Sequence, residues 1–185
     1  MKKTLKYSVG LSAVVLVLLI LSSILFGVYR TAAGLERAVL AAYNASGSDG
    51  AGRFANLSEL TVSCLTDAKE LAKIAADAGV SPGTLAEDAE SLSGQLASDP
   101  FVGEKALSDL FGEASVLYYG IQSDASADPA LKEAAAAAFR SMETARKRLG
   151  EAGAYAEAAK AYNEMITAFP ASLILAGRKP AVLFR

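Results

Sequence analysis

The sequence predicts an all-α protein: an N-terminal transmembrane helix followed by an antiparallel four-helix bundle with a long last helix. Three observations lead there. Residues 7–29, YSVGLSAVVLVLLILSSILFGVY, contain no charged side chain. Alanine and leucine are abundant, tryptophan is absent and glycines cluster, which suits helices better than sheet. Beyond the apolar run, hydrophobic residues recur at steps of three and four between capping and breaking signals.

As a helix, residues 7–29 would be about 34 Å long, against roughly 30 Å of bilayer hydrocarbon. Tyr7 and Tyr29 flank the run, where aromatic rings prefer the membrane interface. Lys2, Lys3 and Lys6 form a basic tail over residues 1–6, and Arg30 alone follows the span closely. The positive-inside rule then predicts a single-pass protein of the cytoplasmic membrane, with its N-terminus cytoplasmic and the bundle outside. A cleaved signal peptide is the competing reading. Its apolar core is usually about 7 to 15 residues and ends at a small-x-small site. Here LFGVYRTAAG puts Tyr29 and Arg30 where small residues belong, which favours an uncleaved anchor. Ser22, Ser23 and Gly27 offer only a weak small-residue packing face.

Residues 30–53 read as a juxtamembrane helix and a flexible linker, the latter at GSDGAGR, where glycines and serine supply no packing. The bundle is expected over residues 54–170. Its first helix, from Phe54 to Ala78, carries Leu57, Leu60, Cys64, Leu71 and Ile74 on one stripe and ends at Gly79, a C-terminal glycine cap. Thr84 with Glu87 reads as a capping box opening the second helix. Asp99-Pro100 and Asp128-Pro129 each read as a capping side chain followed by proline at the first helical position. The last helix keeps a near-heptad period from Leu131 to Ile166. Gly150 and Gly153 each cost about 1 kcal/mol relative to alanine, leaving a bend open, but the unbroken period argues for continuity up to Pro170. A tail over residues 171–185 then packs back on the bundle, covering it with Leu173, Ile174, Leu183 and Phe184.

Composition removes several function classes. With no histidine, imidazole acid–base catalysis and histidine metal sites are excluded, as are ferritin-like Glu-x-x-His pairs. No cofactor or metal site is expected. The single cysteine, Cys64, makes an intramolecular disulfide impossible, and its helical register reads as a buried small hydrophobe. With the three N-terminal lysines set aside, 15 basic residues face 20 acidic ones, a net of −5; nucleic acid is not an expected partner. Neighbouring carboxylates such as Glu87 and Asp88, or Asp109 and Glu113, read as solvated helix faces. The glycine-containing GSDGAG lacks the lysine and preceding strand of a phosphate loop.

One stretch carries a more specific pattern. AYAEAAKAYNEMITAFPASLILAGRKPAVLFR resembles the C-terminal signature of LemA-family bacterial membrane proteins, which typically show two Tyr-Asn pairs seven residues apart, a Phe-Pro, an apolar stretch and a late aromatic. Tyr162-Asn163 matches the second pair, Tyr155 the first tyrosine, Phe169-Pro170 the break and Phe184 the late aromatic. Ala156 stands where the first asparagine would be. Arg53, Asn56 and Leu57 in RFANLSEL echo the start of that family's first bundle helix. The resemblance implies a membrane-anchored helical protein with a poorly defined molecular role, some relatives being associated with internal membranes.

Read as residues, Tyr155, Tyr162, Ile166 and Phe169 fall near one helical face, where the tyrosines bury rings and extend hydroxyls to partners. Asn163 would set register between helices. The pattern reads as a structural lock rather than a partner-binding groove. These expectations add up to a scaffold that docks unidentified proteins or organises membrane without catalysis, with homo-oligomerisation left open. The alternative is an envelope ligand-sensing bundle that signals through a partner, since ASLILAG is far too short for a second span.

Overall fold

A computed structural model of the chain describes residues 2–45, 47–49, 52–54, 56–102 and 104–184, with the side chains of residues 11–45, 56–102 and 106–184. The fold is all-α, a long apolar N-terminal helix followed by packed helices. Helix α1 (Lys2–Asn44) runs unbroken for 43 residues. Its stretch from Leu11 onward is apolar and long enough to cross a membrane, and residues 11–27 are exposed. Further along, Ala32, Val39 and Tyr43 are buried, so the same helix leaves its apolar run and enters the protein core.

The segment expected as a flexible connection forms an antiparallel hairpin of β1 (Gly47–Asp49) and β2 (Gly52–Phe54). The side chains of this hairpin, Arg53 included, lie outside the described residues. Helix α2 (Leu57–Asp77) follows. It starts three residues later than expected, because Asn56 is its N-cap: extended backbone lets the side chain accept from the Glu59 N–H at 2.7 Å. At the other end Gly79 takes φ +76° while Val80 N–H reaches the Ala75 carbonyl at 2.8 Å, the glycine closure read from the sequence.

Helices α3 (Leu85–Leu96), α4 (Glu104–Ser123) and α5 (Pro129–Gly150) complete the central bundle. Cross-contacts fix its direction. Ser58 at the start of α2 donates to the Ala97 carbonyl at the end of α3, and Lys69 pairs with Glu90, so α2 and α3 are antiparallel. Ser141 donates to Asp67, which with Cys64 beside Met142 sets α5 against α2. Tyr118 stacks on Phe139 at 4.5 Å, Arg146 lies over the Phe111 ring, and Gln122 donates to the Lys132 carbonyl, setting α4 against α5. Leu65, Leu71, Leu85, Leu96, Leu110 and Met142 fill the interior.

Two of the three capping readings in this region are corrected. Thr84 is not a capping box; its backbone is already helical (φ −97°, ψ 0°), whereas a cap needs extended backbone, and its hydroxyl donates instead to Asp88. Asp99-Pro100 does not open a helix either. Asp99 accepts from the Phe101 N–H, and the Pro100 carbonyl accepts from Val182 at 2.8 Å, which holds residues 99–102 outside α4. Asp128-Pro129 does cap α5, accepting from Ala130 at 2.9 Å.

The long last helix is divided. Helix α5 ends at Gly150, Ala152 leaves helical geometry (φ −75°, ψ 70°), and α6 (Gly153–Thr167) begins. Two weak helix formers close together lower the cost of the break, and the break changes partners: α5 packs on α2 and α4, whereas α6 packs on the buried end of α1. A continuous heptad stripe therefore serves two different faces. The peptide Phe169–Pro170 is cis. A single turn, α7 (Ala171–Ile174), precedes the extended tail.

Candidate functional site

The residues singled out at the C-terminus converge on the junction of α1, α6 and the tail. Helices α1 and α6 are antiparallel, with the Tyr43 and Tyr155 rings 5.5 Å apart at one end. Phe184 closes the group, 5.3 Å from Tyr155 and 6.5 Å from Tyr43, within the range where aromatic pairs add to simple burial. Each tyrosine hydroxyl is used. Tyr43 donates to the Leu96 carbonyl at 2.6 Å and Tyr155 to the Val182 carbonyl at 2.8 Å. Thus Tyr43 ties α1 to the end of α3, and Tyr155 ties α6 to the tail.

Asn163 does not set register between helices. Its amide donates to the Ala181 carbonyl at 2.9 Å and accepts the Ala181 N–H at 2.7 Å, clasping a strand-like tail that has no ladder of its own. Tyr162 is buried and its ring lies 4.9 Å from Phe101. Ile166 is buried, but Phe169 is 82% exposed. The expected common face fails there for a local reason: α6 stops at Thr167, and Ala168 turns extended (ψ 141°), so the seven-residue step from Tyr162 no longer applies. Within the tail, Ala181, Val182 and Phe184 are buried, Leu183 and Ile174 are half-buried, and Leu173 is 71% exposed; Leu173 does not cover the bundle. Leu57 is core, and Asn56 is a cap.

Burial shapes the ionisation of this region. Loss of solvent pushes the Tyr43 hydroxyl up to about 12, against weaker lowering by Thr61 and Ser58. Tyr155 is raised further, again by burial first and then by Tyr43. Tyr162 is raised by burial and Glu36, opposed by Arg178. Cys64 is pushed up to about 12 by burial and by Asp67; a thiol so protonated is a core group and a poor nucleophile.

Beside the tail lies an open cleft of about 570 Å³ between α1, the residues joining α3 to α4, and the tail. Tyr162, Phe101 and Asp99 line it, and an Arg178–Glu36 ion pair crosses its wall. Among the described residues no group of three or more Cys, Asp or Glu side chains is placed to hold a metal ion. No nucleophile–base pair is formed among these side chains, and what the arrangement does chemically is fasten a tail.

The sequence missed Tyr43, which anchors the cluster from α1. Val39 and Tyr43 continue a four-residue step beyond the span; that step reads as a juxtamembrane helix outside the bundle, whereas both side chains are buried. No protein-family model, curated protein or solved structure matches the chain.

Proposed function

We propose that the chain is a LemA-type, membrane-anchored helical scaffold of the bacterial envelope, whose bundle docks partner proteins or organises membrane without catalysis. The observation that carries this is the continuity of α1, apolar and exposed over residues 11–27 and buried in the core at Ala32, Val39 and Tyr43. A helix that is a bilayer-length rod at one end and a core element at the other ties the folded part to the membrane with no slack. The Tyr155, Tyr162–Asn163 and Phe169–Pro170 pattern supports the family reading. In the positive-inside orientation the bundle faces away from the cytoplasm. Proximity labelling from the bundle, compared with the span alone, tests docking. Neighbours specific to the bundle support the reading, and identical neighbours from both overturn it.

Ligand sensing has one specific observation behind it, the open cleft beside Tyr162 and Arg178. A melting-temperature rise with a small-molecule panel, lost in Arg178→Ala, would favour sensing over scaffolding.

A further inference from the structure

We propose that the corner between α6 and α7 rests on the membrane, with Phe169 and Leu173 inserted at the lipid–water boundary as a second contact beside the span. Among the described residues beyond Tyr29, four large apolar side chains are exposed, Val116, Tyr119, Phe169 and Leu173. Two of the four bracket Pro170 at this corner. A phenylalanine 82% exposed to water and a leucine 71% exposed each leave most of an apolar side chain unburied.

Height decides what covers them. Tyr43 and Tyr155 meet at one end of the α1–α6 pair. Tyr29 lies fourteen residues back along α1, a descent of about 21 Å, and α6 runs twelve residues on from Tyr155 to Thr167, a descent of about 18 Å, just before Phe169. The two arrive at the same level: the Tyr29 hydroxyl donates to the carbonyl of Ile174, next to Leu173, at 3.3 Å. Tyr29 is the aromatic at the end of the apolar run, where such rings mark the headgroup layer. The corner thus stands beside the end of the apolar run. Charge agrees with a phosphate-bearing surface as the occupant. Residues 165–184 contain no aspartate or glutamate and include Lys179 besides Arg178, which pairs with Glu36, in a chain of net charge −2. Apolar groups of interfacial elements sit about 5–10 Å into the headgroup–acyl boundary, within reach of an aromatic ring and a leucine.

The inference rests on α1 being a membrane anchor, and the experiment separates the two. The protein has no tryptophan, so single-tryptophan variants of the full chain, reconstituted in phosphatidylcholine–phosphatidylglycerol vesicles, report one site each. Phe169→Trp, and Leu173→Trp with it, should lose most of its emission to lipids brominated near the headgroup and little to aqueous iodide. Asn44→Trp, at the far exposed end of α1, should do the reverse, and Leu18→Trp should be quenched by lipids brominated deep in the chain. If Leu18→Trp is quenched while both corner variants behave like Asn44→Trp, the corner faces water and the inference falls with the anchor intact. Corner variants protected from both quenchers would mean that a second protein copy covers them, which also overturns it. A Leu18→Trp untouched by brominated lipid removes the anchor and the inference together.

Discussion

At Asn163 one side-chain amide uses its donor and its acceptor on the same residue, Ala181, whose backbone is buried and lies in a tail without regular structure. Asn163→Ala would remove this partner from both the Ala181 N–H and C=O. Stranding a buried polar group costs about 1–3 kcal/mol, so the unfolding free energy from urea denaturation should fall by that much, while Thr167→Ala, at an exposed site on the same helix, should barely move it. The burial of Tyr155 and Tyr162 was legible from their seven-residue step, because α6 is regular across both. The partner of Asn163 was not legible, since a helical register says which way a side chain points and nothing about a chain segment eighteen residues on. The exposure of Phe169 is hidden for the same kind of reason: the seven-residue step from Tyr162 extends past the point where Ala168 leaves the helix.

Elements were read better in their interiors than at their ends. The stripes on α2 and α4 follow directly from apolar spacing, and Asp128-Pro129 starts α5 as its chemistry requires. Asn56 shows what went astray at a boundary. An asparagine with Glu59 three residues on is a helix start in its own right, and it places the start at Leu57 rather than at Phe54. Asn56→Ala should destabilise the bundle by about 1 kcal/mol, read as a shift in thermal midpoint, and Asn56→Asp, which keeps the accepting oxygen, should hold most of the wild-type value. The opposite holds at Asp99-Pro100 and Thr84, where sequence signals for caps are diverted, in one case by the distant Val182 and in the other by Asp88 one turn along the same helix. The division of α5 from α6 belongs here too. Two glycines signalled weakness, but only the competing face of α1 explains why the weakness was used.

Across the whole molecule, the all-α class and the apolar first helix were evident from composition and patterning alone. That α1 also supplies core was less so, because a span and a core helix look alike in hydropathy. The joined cluster of α1, α6 and tail has a pH signature. Burial holds the Tyr43 hydroxyl protonated up to about 12, against 10.0 for an ordinary tyrosine, and Tyr155 is raised as well. A raised folded value means the stabilisation is fully present below pH 10 and is lost as pH climbs from 10 toward 12, where the unfolded chain ionises and the folded one resists. From Tyr43 alone the loss is roughly 2–3 kcal/mol. Denaturation midpoints measured across that interval should drop, and Tyr43→Phe, less stable at neutral pH, should show a shallower fall.

The unbroken α1 has a mechanical consequence. It is about 64 Å of rod from its 43 residues, with no joint where it leaves the apolar run. Spans of this kind lean to match the thickness of the lipid around them. On the anchored reading, a change of lean in the bilayer would be carried upward without loss, so that moving the protein between thinner and thicker membranes would re-aim the whole bundle like a mast stepped into a hull.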